Sequence, residues 1–123
     1  MCSSDLVSVF TADLMAEASH TAFAEFIGSA AERPLGIMAA SDVIAMTTLR
    51  LLADIGLSVP DELKVIGYGG LELTEYTIPR LSAVRQDLTA GANHLVDVLL
   101  RRIAGEDTEP VILRPELVQR TST

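Results

Sequence analysis

The sequence predicts an α/β fold with a parallel sheet, and three consecutive segments carry this prediction. Residues 35–40 form a short apolar run, residues 43–55 have apolar side chains at helical spacing, and residues 63–68 form a second apolar run. A strand, a helix and a strand in this order make a βαβ unit with parallel strands and a right-handed crossover. Ligands of open α/β sheets bind outside the carboxyl ends of such strands. We therefore expect a binding crevice where Ser41-Asp42 and Gly69-Gly70 follow the two strands.

The segment before this unit reads as a short strand at residues 7–10 and a helix at residues 12–31. The helix has a partial apolar stripe that includes Phe23 and Ile27. Pro34 ends it, because proline disfavours helical backbone in the residue before it.

The helix at residues 43–55 is apolar over an unusually wide part of its circumference. We expect Asp42 to cap its first turn through the carboxylate. Met46, Leu49 and Ala53 add a second apolar flank to the side that faces the sheet. We expect such a helix to be buried against more than a sheet, and a partner subunit is one possible source of the extra cover.

The segments after Gly70 predict a connecting loop at residues 71–79 and a third strand at residues 81–86. Residues 110–120 read as extended, with Pro115 breaking that strand or placing it at a sheet edge.

A long amphipathic helix is predicted between these strands, from Leu88 to about Ala104. Asp87 is its N-cap, and Gly105 is suited to the residue after its C-terminus. Its apolar face consists of Leu88, Ala92, Leu95, Leu99 and Ile103. We expect this face to pack on a sheet that these residues do not encode.

Composition limits the possible partners. The 123 residues suit one small domain, and a net charge of −8 does not favour nucleic-acid binding by these residues alone. No run approaches the roughly 20 apolar residues of a membrane span, so a membrane is not an expected partner. The start lacks the pattern of a secretory signal, and the single cysteine, Cys2, is compatible with a reducing, cytoplasmic location.

Motifs of catalysis, metal binding and cofactor binding are absent from the sequence. It has no nucleophile elbow, HExxH, Walker A or CxxC pattern, and residues 67–70 lack the spacing of a dinucleotide loop. His20 and His94 have no second ligand at metal-binding spacing. We expect neither catalytic residues, a metal nor a cofactor, and hence not an enzyme.

Four ordered stretches resemble the effector-binding core of the LacI/GalR family of bacterial transcription regulators. They are RPLGIMAASD at residues 33–42, LSVPDELKVIGY at 57–68, IPRLSAVRQ at 78–86 and LRPELVQR at 113–120. Each stretch alone is a weak indicator of the family, but the four stretches in this order are specific to it. The resemblance implies a periplasmic-binding-protein-like fold of two α/β subdomains with a small effector between them. It also implies a homodimer that binds operator DNA through an N-terminal headpiece.

The resemblance assigns these residues to the C-terminal portion of such a core, without the headpiece. Residues 12–80 are expected to form part of the C-terminal subdomain, and residues 81–120 a crossover strand, a helix and a final strand. Residues 1–11 do not resemble the family, and residues 121–123 are expected to be a tail.

The implied effector site contains Ser41, Asp42, Gly69 and Gln86. Gly69 stands where many members have an aspartate that hydrogen-bonds the effector. If the N–H groups of Gly69 and Gly70 converge, they favour an anion, and the effector is then a sugar acid rather than a neutral sugar. The alternative is a plain tight turn.

The resemblance also implies a dimer interface on the helix after Asp42 and on the loop after Gly70. Its predicted residues are Met46, Leu49, Arg50, Ala53, Leu73, Tyr76 and Ile78.

Two other functions share features with this sequence. A periplasmic sugar-binding protein for ABC-type uptake has the same fold, and a secretory signal upstream would identify it. A flavodoxin-like enzyme or a receiver would need a flavin loop or an acidic metal cluster at the strand ends, and neither pattern is present.

Overall fold

The structure is a computed structural model that describes residue 9, residues 17–29 and residues 36–123. Apart from residue 9, the strand expected at residues 7–10 lies outside this range, and so does the helix boundary at Pro34.

Within the described residues, three helices and four strands follow the predicted order. Their bounds are α1 Glu17–Ser29, β1 Gly36–Met38, α2 Asp42–Asp54, β2 Lys64–Gly69, β3 Ser82–Arg85, α3 Leu88–Ile103 and β4 Glu116–Val118, with a 3₁₀ helix at Glu72–Glu75 between β2 and β3. The sheet order is β1-β2-β3-β4, with β1, β2 and β3 parallel and β4 antiparallel to β3. The α/β prediction with a parallel sheet is confirmed, and the carboxyl ends of β1, β2 and β3 lie at one edge.

The core lies between α2 and the sheet. Leu52 of α2 and Val65 of β2 have no exposed surface, as expected for a crossover helix packed on its own sheet. Leu49 is only 7% exposed and belongs to the same buried cluster as Phe23 and Ile27 of α1. Helix α1 lines a pocket with Leu51 and Asp54 of α2 and with its C-cap Ile55, whereas Met46 is half-buried and Ala53 is exposed. The partner subunit expected on the flank of Met46, Leu49 and Ala53 therefore stays a prediction.

The N-caps of α2 and α3 can be compared with their predictions. Asp87 accepts a hydrogen bond from the N–H of Ala90 at 2.8 Å, which confirms it as the N-cap of α3. The predicted cap of α2 is wrong, because Ser41 is the N-cap and its Oγ accepts from the N–H of Ile44 at 3.3 Å. Asp42 is the first helical residue, and its carboxylate turns toward the end of β2.

Helix α3 packs weakly on the rest of the described chain. None of its residues is buried, and Leu95 is 73% exposed. Its exposed large apolar residues are Leu88, Leu95, Val96, Leu99, Leu100 and Ile103. This agrees with the expectation that the helix packs on a sheet not encoded here.

The segment after β4 does not behave as the tail we expected. Ser122 is completely buried, and its Oγ accepts from the N–H of Ser82 at 2.8 Å and donates to the carbonyl of Val65 at 2.6 Å. Its backbone bonds Val65 and Arg80 as well. Residues 120–123 therefore close the amino-terminal ends of β2 and β3, and hydrogen bonding rather than hydrophobicity holds them there.

Candidate functional site

The predicted effector residues meet where β1, β2 and β3 end. The carbonyl of Gly69 accepts a hydrogen bond from the N–H of Gln86 at 3.1 Å, so the ends of β2 and β3 are joined directly. Ser41 is half-buried at the start of α2, and its hydroxyl hydrogen remains available for another acceptor because its oxygen acts as the acceptor in the cap. The structure thus places Ser41, Gly69 and Gln86 at or just after the carboxyl ends of β1, β2 and β3, the edge that we call the strand-end crevice.

Asp42 lies beneath this crevice. The residue is 1% exposed, and Oδ2 accepts a hydrogen bond from the N–H of Leu71 at 2.6 Å. Oδ1 is buried, and no hydrogen-bond donor reaches it within the part of the chain that the structure describes. The first turn of a helix favours a negative charge, which offsets part of the burial cost of the carboxylate. Direct contact between Asp42 and an effector stays a prediction, and it requires access to a carboxylate that is now covered.

Three glycines of β2 and its exit make room for neighbouring side chains. A Cβ on Gly67 would collide with Oδ1 of Asp42, and a Cβ on Gly69 would lie 3.3 Å from Oδ2. A Cβ on Gly70 would collide with the side chain of Arg85. Gly69 and Gly70 also have φ angles of 129° and 83°, which side chains rarely permit. These glycines are accounted for by close packing within the chain.

The loop after β2 binds a carboxylate, and this carboxylate belongs to Asp42 of the same chain. We expected the N–H groups of Gly69 and Gly70 either to favour an anionic ligand or to form a plain turn. The next N–H, that of Leu71, donates to the Asp42 carboxylate. A second negative charge brought to this point would meet the first, so the loop disfavours an acid group.

A cavity of about 310 Å³ opens beside this crevice, between the end of β3, α3 and the segment before β4. Gln86 donates from Nε2 to the hydroxyl of Tyr68 at 3.1 Å on its wall, and Arg114 also lines it. The other lining residues are Asp87, Leu88, Gly91, Ala92, Leu95, Leu113 and Pro115. Polar hydrogen-bonding groups beside aliphatic surface suit a small hydroxylated ligand.

Sequence reasoning missed Tyr68 and Arg114. Strand alternation gives a signal for Tyr68, because it points to the face of β2 opposite Gly67 and Gly69. Arg114 has no such signal, since it precedes β4 in an irregular segment.

A pair of charges holds β4 against β3 near this cavity. Arg85 and Glu116 are partners in the strand register, and Nη2 of Arg85 lies 2.7 Å from Oε2 of Glu116. The hydrogen bond from this carboxylate raises the pKa of the Arg85 guanidinium. Both side chains are at least half exposed, so the pair aligns the strands more than it stabilises them.

The predicted interface residues divide into two groups. On α2, Leu49 is buried, Met46 is half-buried, and Arg50 is exposed and pairs with Asp54. On the loop, Leu73, Tyr76 and Ile78 are 62%, 73% and 96% exposed. Ala53 is also exposed. Only the loop group presents large apolar side chains that are free to meet a partner.

The described residues contain no group of three His, Cys, Asp or Glu side chains arranged for a metal ion. In the same residues, no helix is long and apolar enough to cross a membrane.

The parallel strands end at one edge of the sheet, and β3 leads into helix α3, which lies outside the core. These features define a class of α/β ligand-binding domains. Residues 5–123 match the family model described as the periplasmic binding protein-like domain, and the chain belongs to that family. The match begins before residue 12, where we expected the family part to start.

Relatives of this chain include LacI-type regulators, and the part of them that it matches is the periplasmic binding protein-like domain. The chain is 37% identical over 84 residues to the sucrose operon repressor of Streptococcus mutans. The aligned region covers 68% of this chain and 26% of that protein. The chain thus spans about a quarter of that relative.

Two solved structures with bound sugars are similar in both fold and sequence. One is the complex of the transcriptional regulator CelR with cellobiose, at a TM-score of 0.75 and 30% identity, covering 87% of this chain and 33% of that one. The other is a LacI family regulator from Arthrobacter sp. FB24 in complex with lactose, at a TM-score of 0.73 and 33% identity. It covers 87% of this chain and 41% of that chain.

Proposed function

We propose that this chain is the effector-sensing part of a LacI/GalR-type transcription regulator and that its effector is a neutral sugar. The observation that carries the choice of a neutral sugar is the hydrogen bond between Leu71 and Asp42. It places a carboxylate at the point where one of the two sequence-based hypotheses puts an acid ligand. The cellobiose and lactose bound to the two similar regulators support the same class of effector.

The sugar lies between the strand-end crevice and the cavity under α3. Ser41 supplies a hydroxyl, and Gln86 and Tyr68 supply an amide and a phenol that already bond each other. Each of these groups can both donate and accept, as sugar hydroxyls also can. The aliphatic side of the cavity, including Leu88 and Leu113, covers the apolar face of the ring.

In this proposal the regulator acts as a cytoplasmic homodimer and contacts its operator through a separate headpiece. The net charge of −8 supports this division, because these residues lack the cationic face that binds a phosphate backbone. The regulators among its relatives favour this function over sugar uptake.

Calorimetric titration of the complete protein with lactose, cellobiose and gluconate tests the effector class. We expect at least one neutral sugar to bind and gluconate to bind weakly or not at all. Replacing Tyr68 with Phe removes one hydroxyl and should weaken sugar binding about 2- to 10-fold, the value of one hydrogen bond. Gln86→Ala should also weaken sugar binding. Gln119→Ala is its control, because Gln119 is exposed and does not line the cavity. Tight gluconate binding without a response to neutral sugars would reject the neutral-sugar assignment.

Dimerisation is tested on the loop rather than on α2. Leu49→Glu would unfold the core of a single chain, since Leu49 is buried within it. Ile78→Glu changes a side chain that is 96% exposed and should weaken the dimer without loss of stability. Glu72→Gln, an exposed change in the same loop, is the control. Sedimentation at low concentration measures both, and an unchanged dimer for Ile78→Glu would remove the loop from the interface.

A further inference from the structure

The loop between β2 and β3 is held at two points by side chains from elsewhere. At its start, the N–H of Leu71 donates to the buried carboxylate of Asp42. In the 3₁₀ helix Glu72–Glu75 that follows, Arg120 donates to the hydroxyl of Thr74 at 3.0 Å and pairs with Glu75 at 2.9 Å. The position of this loop is therefore set by α2 on one side and by the segment after β4 on the other.

We propose that Asp42 is a positioning residue that couples the effector crevice to the exposed loop surface of Leu73, Tyr76 and Ile78. This inference rests on the proposed function, which places the effector beside Ser41. Asp42 acts through Leu71 and need not touch the effector.

The geometry makes Asp42 a stiff connection. Ser41 and Asp42 are consecutive residues at the start of α2, so a shift of one moves the other. The carboxylate sits against Gly67 and Gly69, whose missing side chains leave space for it and little more. Because Asp42 is 1% exposed, no water replaces its bond to Leu71 without opening the site. A movement of the first turn of α2 therefore reaches Leu71 and the 3₁₀ helix that follows.

The unused oxygen of Asp42 distinguishes this arrangement from ordinary packing. Oδ1 is buried, and no described residue donates a hydrogen bond to it. Burial of an unsatisfied carboxylate oxygen costs stability, and an apolar side chain would fill a purely structural position more cheaply. Among the described residues, the carboxylate contributes one hydrogen bond, which it accepts from the N–H of Leu71.

Amide hydrogen exchange of the complete protein without ligand tests the connection. Asp42→Ala should raise the exchange rate of the Leu71 amide about 10-fold or more, the value of one hydrogen bond to a charged acceptor. Amides at the amino-terminal end of β2, such as that of Val65, which donates to the carbonyl of Ser122, should change much less. Asp42→Asn retains an oxygen that accepts from Leu71 and should restore most of the protection. Equal acceleration at Leu71 and Val65, or no acceleration at Leu71, overturns the proposal.

The second measurement adds lactose or cellobiose to the wild type and to Asp42→Ala. Sugar should protect residues 72–76 in the wild type and in Asp42→Asn. It should protect them at least several-fold less in Asp42→Ala, compared at sugar concentrations that calorimetry shows to saturate each protein. Equal protection in all three proteins would show that the coupling does not pass through Asp42. If the wild type binds neither sugar, the effector assignment fails, and the ligand-free comparison still decides whether Asp42 positions the loop.

Discussion

The contact between Gly67 and Asp42 predicts that Gly67→Ala is strongly destabilising. Gly67 lies in β2 outside the left-handed region, so alanine fits its backbone conformation. In open space this change would stabilise the fold by about 0.4–1 kcal/mol, because it restricts the unfolded chain. Here the new Cβ collides with Oδ1 of Asp42 and lies 3.3 Å from the Cβ of Ala45.

The expected cost has two parts. Overpacking a well-packed interior costs about 1–3 kcal/mol. The Asp42 carboxylate cannot move away without losing the N–H of Leu71, and a hydrogen bond to a charged group contributes about 1.5–3 kcal/mol. We expect Gly67→Ala to lower the free energy of unfolding by about 3–5 kcal/mol.

Urea denaturation of the complete protein, followed by circular dichroism, measures this loss. Gly28→Ala is the matched control, because Gly28 lies in α1 with no atom within 4 Å of the new Cβ. It should be neutral or slightly stabilising. In an Asp42→Ala background the cost of Gly67→Ala should fall, since the colliding carboxylate is gone. An equal cost in both backgrounds would refute the argument.

Three further predictions concern stability and association. Ser122→Ala leaves Ser82 N–H and Val65 C=O unpaired and should cost about 2–4 kcal/mol in urea denaturation, whereas the exposed Ser58→Ala should cost little. Leu52→Ala removes a fully buried side chain and should cost about 2–5 kcal/mol by the same method. The isolated 123 residues should self-associate through α3, and light scattering should fall on Leu95→Gln. Scattering unaffected by that change would assign the association to another surface.

Local sequence patterns predict most of the fold. The strands expected at residues 63–68 and 81–86 are found at Lys64–Gly69 and Ser82–Arg85, and the helix expected at residues 88–104 is found at Leu88–Ile103. These segments are short apolar runs or have helical periodicity, so the spacing of nearby apolar residues predicts which side chains are buried. The same patterns predict the apolar face of α3, which stays exposed among the described residues.

The details of the site are less predictable because they depend on distant pairs. Asp42 and Leu71 are 29 positions apart. Sequence rules favour Asp42 as a cap, and only the folded backbone shows that Ser41 takes that role. The sequence correctly places Gly69-Gly70 at a strand end. No local pattern connects this loop to the Asp42 carboxylate that it binds through the N–H of Leu71. Ser122 escapes prediction because a short polar segment has no periodicity.

The burial of Ser122 also has a consequence for the order in which the protein is made. Val65 and Ser122 are 57 residues apart, so a ribosome adding about 5–20 residues per second completes β2 about 3–11 s before Ser122 exists. During that time the carbonyl of Val65 and the N–H of Ser82 lack their native partner. The nascent sheet can assemble from the apolar faces of α2 and β2, but it cannot reach its final hydrogen bonding. Ribosome-bound chains ending before Ser122 should therefore be more sensitive to protease than chains extended by a linker beyond it.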